Sequence, residues 1–429
     1  MTIKTSVKLP AVNDAGKIDA NTIDKVTNSD GSIETASITL STAEPNDSVG
    51  EDGDIWVQFK SSYKYYGVKI QINNSSPDGA LTYTDDAEGM KPGWSNWKDT
   101  PIFKNIKPCV VKDGVVQYYL QRDDYSKKED GSPSTLNSTT VGDVMIEIPK
   151  IGYKITTDGT YHYISVTKKP DMNGYCYLAH SKNSPGDCDY IYIGAYLGYV
   201  SSSKLYSISG QTPTGDTTLN DFRTYATARG SNYELFSFYP LTLLQCLFLL
   251  IYKNRDSQTA LGQGYVNGPS KRATGVTNSN SFNFGSTSKT SAIKFLGIED
   301  FWGNCYQWID GLYYDYTNKI CTYYKNFTNT EPGISPDYTL ASGNDRDLSG
   351  YLAEIVGSNN GGFTLKKSNG SSSTYYCDMN DLFAASCAIF GGDIASDTNA
   401  GMFYLKINHH ASLSDPYVVA RLLCKHVAS

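Results

Sequence analysis

Charge is scarce in this chain. Of its 429 residues only 19% are Asp, Glu, Lys or Arg, against about 25% in ordinary soluble domains. Disordered chains are rich in charge and poor in aromatics. With 34 tyrosines and 38 glycines this sequence is the reverse, so disorder is excluded as its general state. Basic residues are the scarcer sign, 37 Lys and Arg against 44 Asp and Glu, which argues against a nucleic-acid interface built on a basic surface. Long apolar runs are missing too. The most apolar stretch, Leu241–Tyr252 (LTLLQCLFLLIY), has 12 residues, whereas a bilayer span needs ~20, so no membrane insertion is expected. It reads as a helix buried on all sides and opened by Pro240. The first residues, Met1 to Lys8, lack the apolar centre of a signal peptide; the chain reads as soluble and made in the cytoplasm.

Chemistry-bearing motifs are equally sparse. Nine cysteines are scattered without C-x-x-C spacing, which fits neither a zinc pattern nor an evident disulfide framework; they read as reduced, buried small hydrophobes. There is no G-x-S-x-G, H-E-x-x-H or G-K-[ST] motif, and Gly262–Gly268 has the wrong spacing for a nucleotide loop. Among five histidines only His409 and His410 are neighbours, and on a strand they point to opposite faces. No enzyme activity, metal or cofactor is expected.

What charge there is sits at one end. Residues 1–54 hold ten acidic groups and four lysines, a net of −6, which leaves −1 for the rest. That near-neutral body gives little long-range steering, so a partner must be held by contact chemistry. The first 55 residues also contain no aromatic and cannot bury much apolar surface; they read as an extended attachment segment. From Trp56 the pattern alternates, with strands expected at Ile55–Phe59 and Tyr66–Ile72, and residues 56–104 read as a small β-rich module. Further strands are expected around Val115–Leu120, Val144–Ile148 and Tyr190–Tyr196, and a hairpin turns at Asp158-Gly159. Helices are expected over Leu219–Arg229, closed by Gly230, and Pro240–Lys253. Beyond Gly262 the sequence is loop-rich, and the fold class is read as α+β.

Two segments are patterned beyond chance. Gly297–Gly311 (GIEDFWGNCYQWIDG) sets aromatics among Gly and Asp, with Trp302 and Trp308 read as anchors of a packed corner. Phe390-Gly391-Gly392 leads through Ala400-Gly401-Met402-Phe403 and Ser412 to Ala420-Arg421-Leu422, so that small and apolar residues frame polar, interchangeable ones. In this order the blocks resemble the C-type-lectin-fold variable proteins of diversity-generating retroelements, found in phage tails as tropism determinants. The resemblance covers roughly residues 105–429 and departs at Ala420, where the family has Gly, and at Asp393, where it often has Trp. The fold it implies is an α+β C-type-lectin domain, shared with formylglycine-generating enzymes.

The resemblance also implies a function. Residues on the last strands would vary by adenine-directed mutation, giving as ligand contacts Asp393, Ser396, Asp397, Thr398, Asn399, Tyr404, Asn408, His409, His410, Asp415 and Tyr417, with Met402 and Lys406 fixed. Tyr with Ser, Asn and Asp suits adaptable recognition, as in antibody paratopes. The implied protein is a phage tail receptor-binding protein, a homotrimer in the virion, which joins tail or baseplate proteins through its N-terminal region and binds a host cell-surface protein or glycan. Alternatives are a static lectin-fold adhesin, a structural tail component, a formylglycine-generating-type oxidase and a calcium-dependent lectin. The oxidase reading is weakened by the wide spacing of Cys377, Cys387 and Cys424. The lectin reading is weakened because its Glu44-Pro45-Asn46 tripeptide lies far from the patterned segments.

Overall fold

The computed structural model describes residues 38–41, 55–58, 63–314, 320–325, 339–341, 348–359, 362–383 and 386–427. The chain divides into two units, Met1–Ser62 and Tyr63–Ser429. In the first, Ile38–Ser41 pairs in parallel with Ile55–Gln58; the remainder of the attachment segment expected over residues 1–55 lies outside the described residues.

Among the described residues the second unit is built on three large sheets, with three two-stranded ones beside them. In the first, the order is Leu81–Asp85, Tyr65–Gln71, Tyr161–Thr167, Gly152–Thr157, all antiparallel. Period-two alternation decides its faces: His162, Ile164 and Val166 point into the core, while Tyr161, Tyr163 and Ser165 point outward. Tyr65–Gln71, from the stretch read as a separate module ending at residue 104, is paired along its length with Tyr161–Thr167. These residues therefore share one sheet with the later chain.

The second sheet has seven strands, with Leu422–Val427 between Tyr233–Leu235 and Cys188–Gly194, followed by Asp143–Pro149, Lys107–Lys112, Val115–Gln121 and Asp124–Lys128. The third has eight. Tyr306–Tyr314 lies beside Ser386–Phe390, which pairs with Leu405–His409 and then Met379–Leu382. Val418–Val419 joins the start of Tyr306–Tyr314 in parallel.

Two helices fill the space around these sheets. Leu219–Thr227 is capped by Thr218, whose hydroxyl accepts from the Asp221 amide. Phe238–Tyr252 is buried at every position except Tyr252, as a sequence apolar on all sides apart from Thr242 and Gln245 requires. It touches both the first sheet and Tyr306–Tyr314. Its last carbonyls are satisfied by the Tyr83 hydroxyl on Leu250 and the Gly93 amide on Ile251, each at 2.7 Å. Cys109, Cys176, Cys188, Cys246, Cys305, Cys377, Cys387 and Cys424 are buried and free of disulfides.

The α+β expectation, with its C-type-lectin fold, is corrected by this architecture. Strands make up 38% of the described residues and helices 11%, and the fold is β-rich. The two helices read from the sequence are present, but two of the four α-helices among the described residues, Trp94–Trp97 and Ser257–Ala260, are single turns. The misreading arose beyond residue 262, where strands of two to nine residues are too short or too interrupted to show periodicity among Gly, Ser and Asn.

Candidate ligand-binding face

Arg421 joins the two patterned segments. Its side chain is fully buried and donates to Gln307 Oε1 (2.7 Å) and to the carbonyls of Gly194 (2.8 Å), Glu299 (3.0 Å) and Asp300 (3.2 Å). Burial pulls its pKa down to about 9, against the favourable charges of Asp300 and Glu299; at neutral pH it remains a cation. Gln307, also buried, donates to the Asp300 and Phe301 carbonyls. Ala420 causes no strain where the resembling family has Gly, because it is not among the residues of positive φ.

The corner itself holds a buried carboxyl pair. Glu299 accepts from the amides of Gly275 (2.6 Å) and Thr277 (2.7 Å) and from the Thr277 hydroxyl (2.6 Å). Asp300 accepts from Asn304 Nδ2 at 2.8 Å, and its pKa is raised to about 8 by burial first and by Glu299 second. Its folded pKa lies above the unfolded value of 3.8. Its contribution to stability is therefore present in full below that value and is lost as pH rises toward 8. Asp300→Asn should flatten stability against pH between about 4 and 8 by about 1 kcal/mol per pH unit, measured by urea unfolding across that range.

On this base the chain turns at Gly391 (φ 93°) and Gly392 (φ 87°), a left-handed pair that side chains rarely permit. A Cβ on Gly392 would stand 2.7 Å from Ala400 Cβ, so the turn Asp393–Asn399 can close only over glycine. Phe390, Met402 and Phe403 fix it from the core. A depression of about 240 Å³ opens beside the turn, lined by Tyr306, Ile389, Asp393, Lys406, His409, Leu413, Asp415, Tyr417 and Val418.

Four of the candidate contacts thus meet at one place: Asp393, His409, Asp415 and Tyr417. Asp393 is oriented by Ser396 Oγ (2.7 Å) and the Ala395 amide (3.1 Å), and Asp415 by the Tyr417 amide (2.7 Å). Lys271 holds the Pro416 carbonyl at 2.6 Å. Burial, with Lys406 nearby, keeps the His409 pKa below its ordinary value, so the ring is neutral at pH 7 and both donates and accepts.

The other candidates lie around this group. Tyr404 and Ser396 form a buried layer behind Tyr306, their hydroxyls 3.0 and 3.1 Å from Tyr306 Oη. Tyr404, only 3% exposed, supports the cleft wall. Asp397 pairs with Lys289, while Thr398 and Asn399 are bound to the Tyr351 hydroxyl at 3.1 and 2.9 Å. Asn408 is half-buried and His410 exposed, and neither lines the depression.

No family model matches this chain, and no curated protein matches it. Solved structures do. The Major Tropism Determinant U1 Variant is 12% identical, with 86% of this chain and 74% of that one covered and a TM-score of 0.28. The M1 Variant is 10% identical with coverages of 87% and 74% and a TM-score of 0.29, and the P3c Variant is 12% identical with 86% and 77% and 0.28. No helix among the described residues is long and apolar enough to cross a membrane.

Five lining residues were not anticipated from the sequence: the apolar Ile389, Leu413 and Val418, and the polar Tyr306 and Lys406. Tyr306 stands between buried Cys305 and Gln307 in the segment read as a packed corner, and strand parity turns it alone toward the cleft. Lys406 was read as fixed. It lies over the Tyr306 and Tyr404 rings at 4.9 and 5.4 Å, a cation–π arrangement, and the alternation in Leu405–His409 signals its outward direction.

Proposed function

We propose that this chain is a receptor-binding protein of a phage or phage-like tail, which meets a host cell-surface protein or glycan through the cleft between Asp393 and Tyr417. One observation carries the reading. Residues of the interchangeable polar type, from three separate stretches of chain, converge on one depression, while the framing residues Phe390, Met402, Phe403, Ala420, Arg421 and Leu422 are buried. Variation at the rim therefore costs the scaffold little, which is what a diversifiable face needs. Its chemistry is a neutral histidine, two tyrosines, two carboxylates and a lysine, suited to recognition by contact. A binding and not a catalytic role is further supported by Cys387 and Cys424, whose thiols burial pushes up to about 12 and which are therefore poor nucleophiles. In the same reading the acidic N-terminal region joins the tail or baseplate, and the assembled protein is a homotrimer in the virion.

His409→Ala with Tyr417→Ala should lower binding of the purified chain to host cells at least tenfold, as expected for loss of central contacts, with the melting temperature held within about 2 °C. Unchanged binding by a folded double variant would overturn the proposal. Diversification itself is read from DNA: a near-copy of the codons for residues 390–424, differing mainly at adenines and lying beside a reverse transcriptase, is the expected neighbour of this gene.

A further inference from the structure

The outward face of the four-stranded sheet carries a larger depression, of about 660 Å³, in which the receptor cleft has no part. Its floor follows one row of the sheet, where Thr84, Gly67, Ser165 and Lys154 stand opposite one another across all four strands. Gly67 is what makes the hollow possible. A Cβ there would collide with Thr84 Oγ1 and Asp85 Oδ2, so the missing side chain lets both groups lean into the middle of the face.

Three half-buried tyrosines, Tyr65, Tyr163 and Tyr175, surround this polar floor. The Tyr65 and Tyr175 rings stand 6.1 Å apart, tilted by 53°. Each hydroxyl is tethered: Tyr175 to Ser165 Oγ at 2.8 Å, Tyr163 to Asp158 at 2.8 Å, and Tyr65 to the Met172 sulfur at 3.9 Å. The rings are therefore held in place before any ligand arrives. Both signs of charge are present, Lys154 against Asp85 and Asp86, and Asp86 is already engaged by Lys64 (2.7 Å) and the Tyr65 amide (2.9 Å).

This chemistry selects a ligand class. An apolar guest would strip water from Thr84, Asp85, Ser165 and Lys154 without replacing its hydrogen bonds. A strongly charged guest of either sign would meet a like charge. A sugar ring has C–H faces that lie on aromatic rings and a rim of hydroxyls that both donate and accept, matching tyrosines set around hydroxyl, carboxylate and ammonium groups. The volume lies within the range of about 300–1,000 Å³ usual for small-ligand sites. We propose that this face is a second binding site, for a neutral oligosaccharide, separate from the receptor cleft.

The test is an array of neutral oligosaccharides of glucose, galactose, mannose and N-acetylglucosamine probed with the full chain, followed by titration of the best binder. Saturable binding is expected. It should fall at least tenfold in Tyr163→Ala and also in Thr156→Trp, which places bulk at the exposed mouth without removing a contact to the core, and it should persist in the His409→Ala, Tyr417→Ala double variant. Absence of binding to every sugar at millimolar concentration would overturn the proposal. So would binding that survives both substitutions, or binding lost only in the receptor-cleft variant, a result that would assign the sugar to that cleft instead.

Discussion

Replacing Arg421 with methionine should destabilise the unit Tyr63–Ser429 by more than about 3 kcal/mol, the range for breaking a buried polar network on one side. Methionine fills much of the space but donates nothing. The carbonyls of Gly194, Glu299 and Asp300 and the Gln307 side chain would then be left without this donor in a site closed to water, at about 1–3 kcal/mol each where no relaxation helps. The expected observation is a large fall in the urea midpoint with little change in slope. Arg421→Lys should recover only part of the loss, since an ammonium cannot reproduce the planar fork that reaches four acceptors. A shift below about 1 kcal/mol would mean that the acceptors find other donors, and that the two patterned segments are held together by apolar packing alone.

Arg229→Met should produce the second large effect, and one that depends on pH. Asp143 has a fully buried side chain, bound by Arg229 at 2.7 and 3.1 Å and by the Ser207 amide at 2.9 Å. Burial raises its pKa even with the guanidinium present. Without Arg229 that pKa rises further. The carboxylate is then a buried, uncompensated charge, expected to cost about 3–5 kcal/mol at neutral pH. The sign follows from linkage: a folded-state pKa above the unfolded one gives stability that is present at low pH and lost as pH rises through it. The variant should therefore regain stability as pH is lowered from 8 to 5, and Asp143→Asn in the same chain should restore more than half of the loss at pH 7. A loss of equal size at every pH would point instead to the stacking of Arg229 on Tyr206 and Tyr233, at 4.0 and 5.2 Å.

Much of the first 260 residues was legible because period and punctuation agreed. The strand expected around Val144–Ile148, the hairpin at Asp158-Gly159 and the helix containing Leu241–Tyr252 all coincide with observed elements. Tyr306–Tyr314 shows why the later chain was not. Its Asp310-Gly311 ends the segment read as a packed corner, yet the strand continues through it with a register shift between Ile309 and Tyr313 against Ser386–Phe390. The aspartate is held by Arg223 from the helix Leu219–Thr227 at 2.6 Å, a contact 87 residues away that no local pattern carries. The candidate site was legible in residue type and only partly in direction. Asp393, His409, Asp415 and Tyr417 reach the cleft because their segments end or turn there. Tyr404 is turned inward onto the Tyr306 hydroxyl, a partner 98 residues away that only tertiary packing brings to it.

The position of Leu422–Val427 also bears on how the molecule is made. It is hydrogen-bonded on one side to Cys188–Gly194 and on the other to Tyr233–Leu235. Those partners leave the ribosome roughly 190 to 230 residues earlier, and non-local pairings of this kind slow folding. Until the late strand arrives, both neighbours expose unpaired edges able to recruit other chains. Newly made protein should therefore depend on low temperature or chaperone capacity for its yield. A nascent chain halted before Arg421 would lack both the strand that joins Tyr233–Leu235 to the rest of that sheet and the arginine that ties the two patterned segments, so an incomplete product should be cleared as misfolded and not assembled as a defective copy.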